Sequence, residues 1–256
     1  MAADSFPIKR LLKFQVFLLF LVFLFLTGET TFSRQVELDK QYQQATTLKK
    51  LEQIVLEIQK IIDAQPNQLE WEWRLARSHY AIAKMSDDNH HYDLCIKHSS
   101  RSLKINSDSA ISYFFRALCL GKQGEMQGLW SSLGVIEPFK EDMKKALKLD
   151  PSIQNGGPNR ALGKLYLELP FFLGGSTDQA IYHLKEAVRL SPGHAENQLG
   201  LAQAFYAANN LSSARKSLST LLSLTDNIAD DEDLLKLRQK GQELVEKLTS
   251  DSHTYD

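Results

Sequence analysis

Apolar residues recur at steps of three and four along most of this chain, the spacing that places them on one face of an α-helix. Between residues 48 and 62 one stripe consists of Leu48, Leu51, Val55, Ile58 and Ile62. Similar stripes follow between residues 71 and 222, and again over residues 234–248. The pattern therefore predicts an all-α fold built from many short helices.

Small residues are interleaved with the large ones at regular places in the second half of the chain. Spacings of four and then three separate the members of two equivalent triplets: Ala180, Leu184 and Ala187, then Ala214, Leu218 and Leu221. Small side chains let two antiparallel helices approach closely, and Pro192 lies where the chain must leave a helix. This combination is typical of the tetratricopeptide repeat, a helix hairpin of about 34 residues that buries its apolar face by stacking on its neighbours.

The repeat units are longer than this standard length. Four residues stand at equivalent positions, where the chain leaves each successive repeat unit: Pro66, Ser107, Pro151 and Pro192. They are separated by 41, 44 and 41 residues, so each unit carries extra residues. Two apolar insertions, residues 121–138 and 169–175, contain part of the excess. Exposed loops are normally polar, so we expect these insertions either to plug the stack or to line a binding cavity.

The N-terminus has the composition of a membrane-directed segment. Lys9, Arg10 and Lys13 precede an almost unbroken apolar run over residues 14–26. Its length suits both a short membrane helix and the apolar region of a signal peptide. Basic residues before the run keep the N-terminus cytoplasmic, so we expect a membrane-anchored protein whose bulk lies on the periplasmic or other extracytoplasmic side.

Four regions follow from these patterns. We expect a signal anchor or signal peptide at 1–30, a stalk and first helix at 31–65, tetratricopeptide-like repeats at 66–225, and an acidic linker, capping helix and frayed tail at 226–256. The complete prediction is a tetratricopeptide-like helix-hairpin solenoid behind an N-terminal transmembrane or signal helix.

Composition excludes several classes of partner and chemistry. The net charge of −1 argues against a nucleic-acid partner, since binding to phosphate backbones usually requires a strongly basic face. The segment from Gly157 to Lys164 is one residue too long for a phosphate loop, and Leu165 stands where such a loop needs Ser or Thr.

Four histidines lie in or beside one predicted hairpin turn and are interpreted as scattered side chains: His79, His90, His91 and His98. The sequence therefore predicts no catalytic residue, no cofactor and no metal.

The two cysteines leave one question open. Cys95 and Cys119 both lie inside helix patterns and are flanked by apolar residues, which favours two small buried side chains. A disulfide between adjacent helices is the alternative if the repeats fold in an oxidising compartment.

The middle of the chain resembles a known family. The segment over residues 137–143 leads to Leu149-Asp150-Pro151, and the glycine-rich segment 156–166 is followed by Leu169-Pro170 and Gly174-Gly175. This order resembles the T-component (TatT) family associated with TRAP transporters, and is more distantly similar to the membrane-anchored regulators of microtubule dynamics. The first resemblance implies a helical-repeat body with an apolar cavity, working beside a periplasmic substrate-binding protein. Many T-components are lipoproteins, and this chain has no cysteine at the end of its apolar run.

Aromatic residues in and near the insertions are the candidate lining of such a cavity. We single out Tyr113, Phe114, Arg116, Trp130, Phe171 and Phe172. The arginine could orient a ligand's carboxylate, while the aromatic rings could contact an apolar part. The alternative is that the aromatic residues are ordinary core.

These observations predict a non-enzymatic, membrane-tethered binding protein. The resemblance implies an accessory role in small-molecule uptake, holding an apolar or organic-acid ligand and docking a substrate-binding protein. The alternative is a repeat scaffold that binds another protein at the membrane.

Overall fold

A computed structural model describes residues 31–127, 129–226 and 231–252. Within those ranges the chain forms helices and turns, and no strand occurs, so the all-α prediction is confirmed. The helices are α1 (31–43), α2 (Leu48–Ala64), α3 (Leu69–Ser86), α4 (Asn89–Ile105), α5 (Ala110–Gln127), α6 (Leu129–Leu149), α7 (Ile153–Glu168), α8 (Thr177–Leu190), α9 (Ala195–Ala207), α10 (Leu211–Leu224) and α11 (Glu232–Ser252), with one 3-10 turn at Phe171–Leu173.

From α2 onward the helices stack in chain order, each packed against the next. In addition, α3 contacts α5, α5 contacts α7, α7 contacts α9, and α9 contacts α11. No comparable packing joins two even-numbered helices in the part of the chain that the structure describes. The odd-numbered helices therefore lie closer together and form the inner side of a curved solenoid, as in stacked repeats generally.

Three apolar clusters form a nearly continuous core. The first joins α1, α2 and α3 around Leu38, Ile58 and Trp71. The second contains the aromatic side chains of α5, and the third spans α8 to α11. Tyr166 packs against both the second and the third cluster, which makes the stack continuous at that point.

Close helix contacts in the C-terminal repeats depend on glycine. A Cβ atom added at Gly163 would lie 2.5 Å from Cγ of Leu184, and one added at Gly200 would lie 2.8 Å from Cδ2 of the same leucine. Leu184 is fully buried between them. Glycine therefore occurs where α7 and α9 approach α8 closely.

The glycine-rich segment at the start of α7 forms a left-handed turn before the regular part of the helix. Gln154, Asn155 and Gly156 have φ angles of 49°, 58° and 75°. Pro158 follows after Gly157, at the start of the regular helix, where its missing N–H costs no hydrogen bond.

Two segments differ from the sequence-based expectation. The predicted stalk before residue 48 contains α1, which packs on the core because Leu38 is fully buried. The predicted insertion at 121–138 is instead helical: α5 continues to Gln127, and α6 begins at Leu129 with Pro138 inside it. Packing of α5 against α6 outweighs the low helix propensity of glycine and proline there.

The predicted signal anchor or signal peptide at 1–30 lies outside the described residues. Of the helices that the structure describes, none combines the length and hydropathy required to cross a bilayer.

Candidate interaction surface

The surface formed by the odd-numbered helices, here called the inner face, carries two clusters of charged side chains. Each cluster joins two neighbouring odd-numbered helices, one between α1 and α3 and the other between α7 and α9. Because the contacts run from one odd helix to the next, both clusters must lie on the inner side of the solenoid.

The first cluster is buried. Asp39 of α1 receives hydrogen bonds from Nη2 of Arg74 at 2.7 Å and from Nη2 of Arg77 at 2.6 Å. The two arginine side chains are only 8% and 10% exposed. Their guanidinium groups also stack on aromatic rings, 3.9 Å from the centroid of Tyr42 for Arg77 and 4.2 Å from that of Trp73 for Arg74.

This burial makes the first cluster structural. Burial alone would raise the pKa of Asp39, but hydrogen bonds and charge from Arg74 and Arg77 outweigh it, so the pKa is lowered. The carboxylate therefore stays ionised and bridges two arginines that have little access to water, and Glu70 supplies Arg74 with a second carboxylate at 2.8 Å. Such a group stabilises the packing of α1 on α3, and little of it is available to a partner.

The second cluster is more open. Glu196 of α9 lies 3.1 Å from Nε of Arg160 and 2.5 Å from Nζ of Lys164, both on α7. Lys164 and Glu196 are 37% and 33% exposed. Arg160 is more enclosed and also donates to Oδ1 of Asn197 at 2.9 Å. The cluster carries one more positive than negative charge and presents it to solvent.

Electrostatics hold this second cluster in place. Burial alone would raise the pKa of Glu196, but Lys164 and Arg160 outweigh it and lower the pKa to about 2. Asn197 is fully buried and donates to the carbonyl oxygens of Asn155 and Ala187, both at 2.9 Å. This network fixes the position of Arg160 relative to the backbone of α7 and α8.

Polar side chains between the two clusters extend the surface. Tyr80 of α3 has a raised pKa because it is buried and because the negative charges near it include Glu196 of α9. On α5, Lys122 donates to Glu125 at 2.5 Å. Tyr80 therefore lies close enough to the second cluster to be affected by its charge, and Lys122 and Glu125 form a separate ion pair on α5.

Of the six residues proposed from sequence to line a cavity, the five whose side chains the structure describes do not share an enclosed space. Tyr113 and Phe114 are buried in the second apolar cluster, and the ring of Phe114 lies against Gly157. Arg116 donates to both carboxylate oxygens of Asp142 at 2.7 Å, so its charge is already paired.

Two further candidates lie elsewhere. Phe171 and Phe172, on the 3-10 turn, are 91% and 81% exposed and enclose nothing. The side chain of Trp130 lies outside the described residues. An enclosed ligand site shared by these six residues stays a prediction, without support from the positions of the described ones.

The two cysteines are bonded to each other. Cys95 of α4 and Cys119 of α5 form a disulfide with Cα atoms 6.3 Å apart, and both are fully buried. The sequence favoured two separate buried thiols and left this alternative open. Helix stacking turns the two residues toward each other, and sequence spacing alone does not reveal that rotation.

The histidines form a buried contact group between α3 and α4. Nδ1 of His79 lies 2.9 Å from Nδ1 of His91, and Nδ1 of His98 lies 2.7 Å from Oε2 of Glu72. Burial, followed by repulsion from His98 and His91, lowers the pKa of His79 to about 3. His79 is therefore neutral at physiological pH. Across the described residues, no three side chains of metal-binding type converge on a common point.

Sequence reasoning missed the residues of the inner face. Arg160 and Lys164 are four apart on one helix, so they lie on the same side of α7. That spacing indicates two basic side chains on one helix face. The glycine-rich segment beside it favoured a comparison with phosphate loops instead. Asp39, which lies in the segment interpreted as a stalk, gave no comparable signal.

Two family models match different parts of the chain. Residues 36–155 match the model described as regulator of microtubule dynamics protein 1-3, and residues 172–240 match a tetratricopeptide repeat model. Regulator of microtubule dynamics protein 1 of Bos taurus is 27% identical to the chain over 85 residues. This match covers 31% of the chain and 26% of the relative, about a quarter of its length.

Solved structures show the same architecture. The chain is similar to TTC0263, a thermophilic TPR protein of Thermus thermophilus, with a TM-score of 0.59 and 16% identity over 77% of this chain and 92% of the other. For MamA the TM-score is 0.51, with 16% identity over 73% of this chain and 93% of the other. Together with the helix order, these matches identify a tetratricopeptide-type helical repeat protein.

Proposed function

We propose that this chain is a non-enzymatic adaptor that binds a segment of a partner protein on its inner face. The observation that carries the proposal is the partly exposed cluster of Arg160, Lys164 and Glu196. Arg160 is held by Asn197, and Glu196 holds both Arg160 and Lys164, so a partner would have less to order on binding.

The net charge of this cluster determines which partner groups the surface prefers. The cluster has two cations and one carboxylate, so an additional acidic group is favoured beside Lys164, which retains exposed surface. Peptides bound along stacked helix hairpins gain affinity from many such contacts in a row. The expected partner segment is therefore extended or helical, with an acidic residue that reaches the gap between α7 and α9.

The test is a peptide selection followed by matched variants. Random peptides are selected on the full-length chain, and the affinity of the best peptide is measured by calorimetry. We expect Lys164→Glu to weaken binding about tenfold or more, because it reverses the charge that faces the peptide. Lys216→Glu is the control, since Lys216 is exposed on the even-numbered helix α10. Equal effects of both variants would contradict the proposal.

We further propose that residues 1–30 attach the chain to a membrane and that the repeats lie in an oxidising compartment. The apolar run at 14–26 supports attachment, and the Cys95–Cys119 disulfide supports the compartment, because disulfides are rare where thiols are kept reduced. A reagent that labels free thiols is added to the membranes before they are lysed and the chain is denatured. We expect both cysteines to remain unlabelled until a reductant is added, whereas labelling without reductant would contradict the assigned compartment.

The alternative proposal is an accessory role in small-molecule uptake, beside a periplasmic substrate-binding protein. Its support is the resemblance of the segment 156–175 to the T-component family. Mass spectrometry of the intact chain, purified gently from membranes, separates the two proposals. A co-purified apolar or organic-acid molecule favours the uptake role, and its absence, together with peptide binding at the inner face, favours the adaptor.

A further inference from the structure

The turn between α9 and α10 carries a three-residue motif that the adaptor role does not use. Asn210-Leu211-Ser212 has the pattern of an N-glycosylation acceptor, an asparagine followed two positions later by serine or threonine, with no proline between them. Of the nine asparagines in the sequence, Asn210 alone has a hydroxyl residue at that distance. A glycan is bulky and polar, so the motif can be used only where it lies at the surface.

The structure places this motif at the surface. Asn210 ends a run of four exposed residues, 207–210, between Phe205 of α9 and Ala214 of α10, which are both buried. Ser212, whose hydroxyl completes the motif, is exposed as well. A substituent on the side chain of Asn210 would therefore extend into solvent without displacing any part of the core.

The hydrogen bonds of the Asn210 side chain leave its amide nitrogen available. Its Oδ1 accepts from the backbone N–H of Ser213 at 3.2 Å and from Oγ of Ser212 at 3.3 Å. The bond from Ser213 caps the N-terminus of α10. Nδ2 donates to no residue that the structure describes. A glycan on Nδ2 leaves Oδ1 unchanged, so the modified side chain can still cap the helix.

The position of the motif is also compatible with binding on the inner face. Glu196 lies in the first turn of α9, and this helix ends at Ala207, 11 residues later, which is roughly 16 Å along its axis. Asn210 lies beyond that end, immediately before the even-numbered helix α10. A glycan there would occupy one edge of the solenoid and leave the cluster of Arg160, Lys164 and Glu196 accessible.

We propose that Asn210 is N-glycosylated. This inference rests on the compartment proposed above, because N-glycosylation belongs to secreted proteins and to the same side of the membrane on which disulfides form. The co-reactant is a lipid-linked oligosaccharide diphosphate. Nδ2 attacks C1 of its first sugar, the bond from C1 to the diphosphate oxygen breaks, and a C1–Nδ2 bond forms. Nδ2 loses one proton and the lipid diphosphate leaves, so the step needs no oxidant or reductant.

The experiment translates the full-length chain in the presence of microsomal membranes that contain this donor and its transferase. We expect a slower-migrating band, which a peptide N-glycanase converts to the faster one. The glycanase leaves aspartate in place of the modified asparagine, so mass spectrometry of the digested peptide locates the site. A chain without the shift, or conversion at another asparagine, would overturn the proposal.

Serine variants separate the loss of the motif from misfolding. Ser212→Ala removes the acceptor pattern but keeps Asn210 as the helix cap, so it should abolish the shift. Ser212→Thr keeps the pattern, and Ser213→Ala changes only the neighbouring serine, so both should retain the shift. A shift that survives Ser212→Ala would contradict the assigned site.

A reporter motif distinguishes a wrong site from a wrong compartment. Asp108→Thr, made in the Ser212→Ala chain, completes the same pattern at Asn106, which is exposed in the turn between α4 and α5. Modification of this reporter chain but not of the unchanged chain would overturn the glycosylation of Asn210 and leave the proposed compartment standing. Failure of both chains to be modified would overturn the two proposals together.

Discussion

The N-terminal repeats, α1 to α6, and the C-terminal repeats, α7 to α11, are built from the same hairpins but are held together differently. In the N-terminal half, specific polar and covalent links join the helices: Asp39 with two arginines, Glu72 with His98, and the Cys95–Cys119 disulfide. In the C-terminal half, the polar links are the Glu196 ion pairs and the Asn197 hydrogen bonds, and large residues such as Leu184 fill spaces left by glycine and alanine in the core.

The difference shows that one architecture can be stabilised by two kinds of interaction. Glycines of both α7 and α9 pack against Leu184, and residues 172–240 of this half match a general tetratricopeptide model. Individual ion pairs and a disulfide do not repeat, and the N-terminal half instead matches a more specialised family model. The predictions below test whether each half depends on its own interactions.

Removing the disulfide should have the largest effect. The double variant Cys95→Ser, Cys119→Ser should lose about 3 kcal/mol of unfolding free energy, since the bond closes a loop with a sequence separation of 24. All three tryptophans, Trp71, Trp73 and Trp130, lie in the N-terminal half. Denaturation followed by fluorescence should therefore shift more than denaturation followed by circular dichroism, and equal shifts would argue against separate stabilisation of the halves.

Breaking the buried ion cluster should have the second largest effect. Asp39→Ala leaves Arg77 without a carboxylate and Arg74 with Glu70 alone, in a site where both arginines are nearly inaccessible to water. We expect a loss of about 2–3 kcal/mol, measured by chemical denaturation. Asp63→Ala, which removes an exposed aspartate of α2, is the matched control and should cost well under 1 kcal/mol. Similar costs for the two variants would show that the cluster does not stabilise the fold.

A methyl group at Gly163 tests the packing of the C-terminal half. Gly163→Ala places a Cβ atom against Leu184 and the carbonyl oxygen of Ala180, so we expect a loss of about 2 kcal/mol from overpacking. Gly193→Ala is the control, because nothing lies within 4 Å of its added Cβ. A neutral Gly163→Ala variant would mean that α7 and α8 can separate freely.

The smallest effect is expected at Glu196, and it should depend on pH. The folded chain lowers the pKa of Glu196 from 4.5 to about 2, so its contribution is complete above pH 4.5 and disappears as the pH falls toward 2. After allowance for solvent screening, Glu196→Gln should cost about 1 kcal/mol at pH 7. The difference between the two chains should vanish near pH 2, and a difference independent of pH would contradict the assigned ion pairs.

Sequence periodicity accounts for the helices and for the C-terminal packing, because both depend on spacings that repeat along the chain. It does not reveal that Asp39 meets Arg74, 35 residues away, or how α4 and α5 are rotated to join their cysteines. The apolar character of a residue also does not show whether its side chain faces the interior or the solvent. For this reason the sequence predicts a cavity position for Phe171 and Phe172, which are exposed in the structure. The inner face depends on stacking, so it could be identified only from the structure.

The central claim is that the odd-numbered helices form the binding surface. Hydrogen–deuterium exchange of the full-length chain, with and without a peptide selected on it, tests this claim most directly. The account predicts slower exchange in α7 and α9, with little change in α8 and α10. Protection concentrated in the even-numbered helices would contradict it.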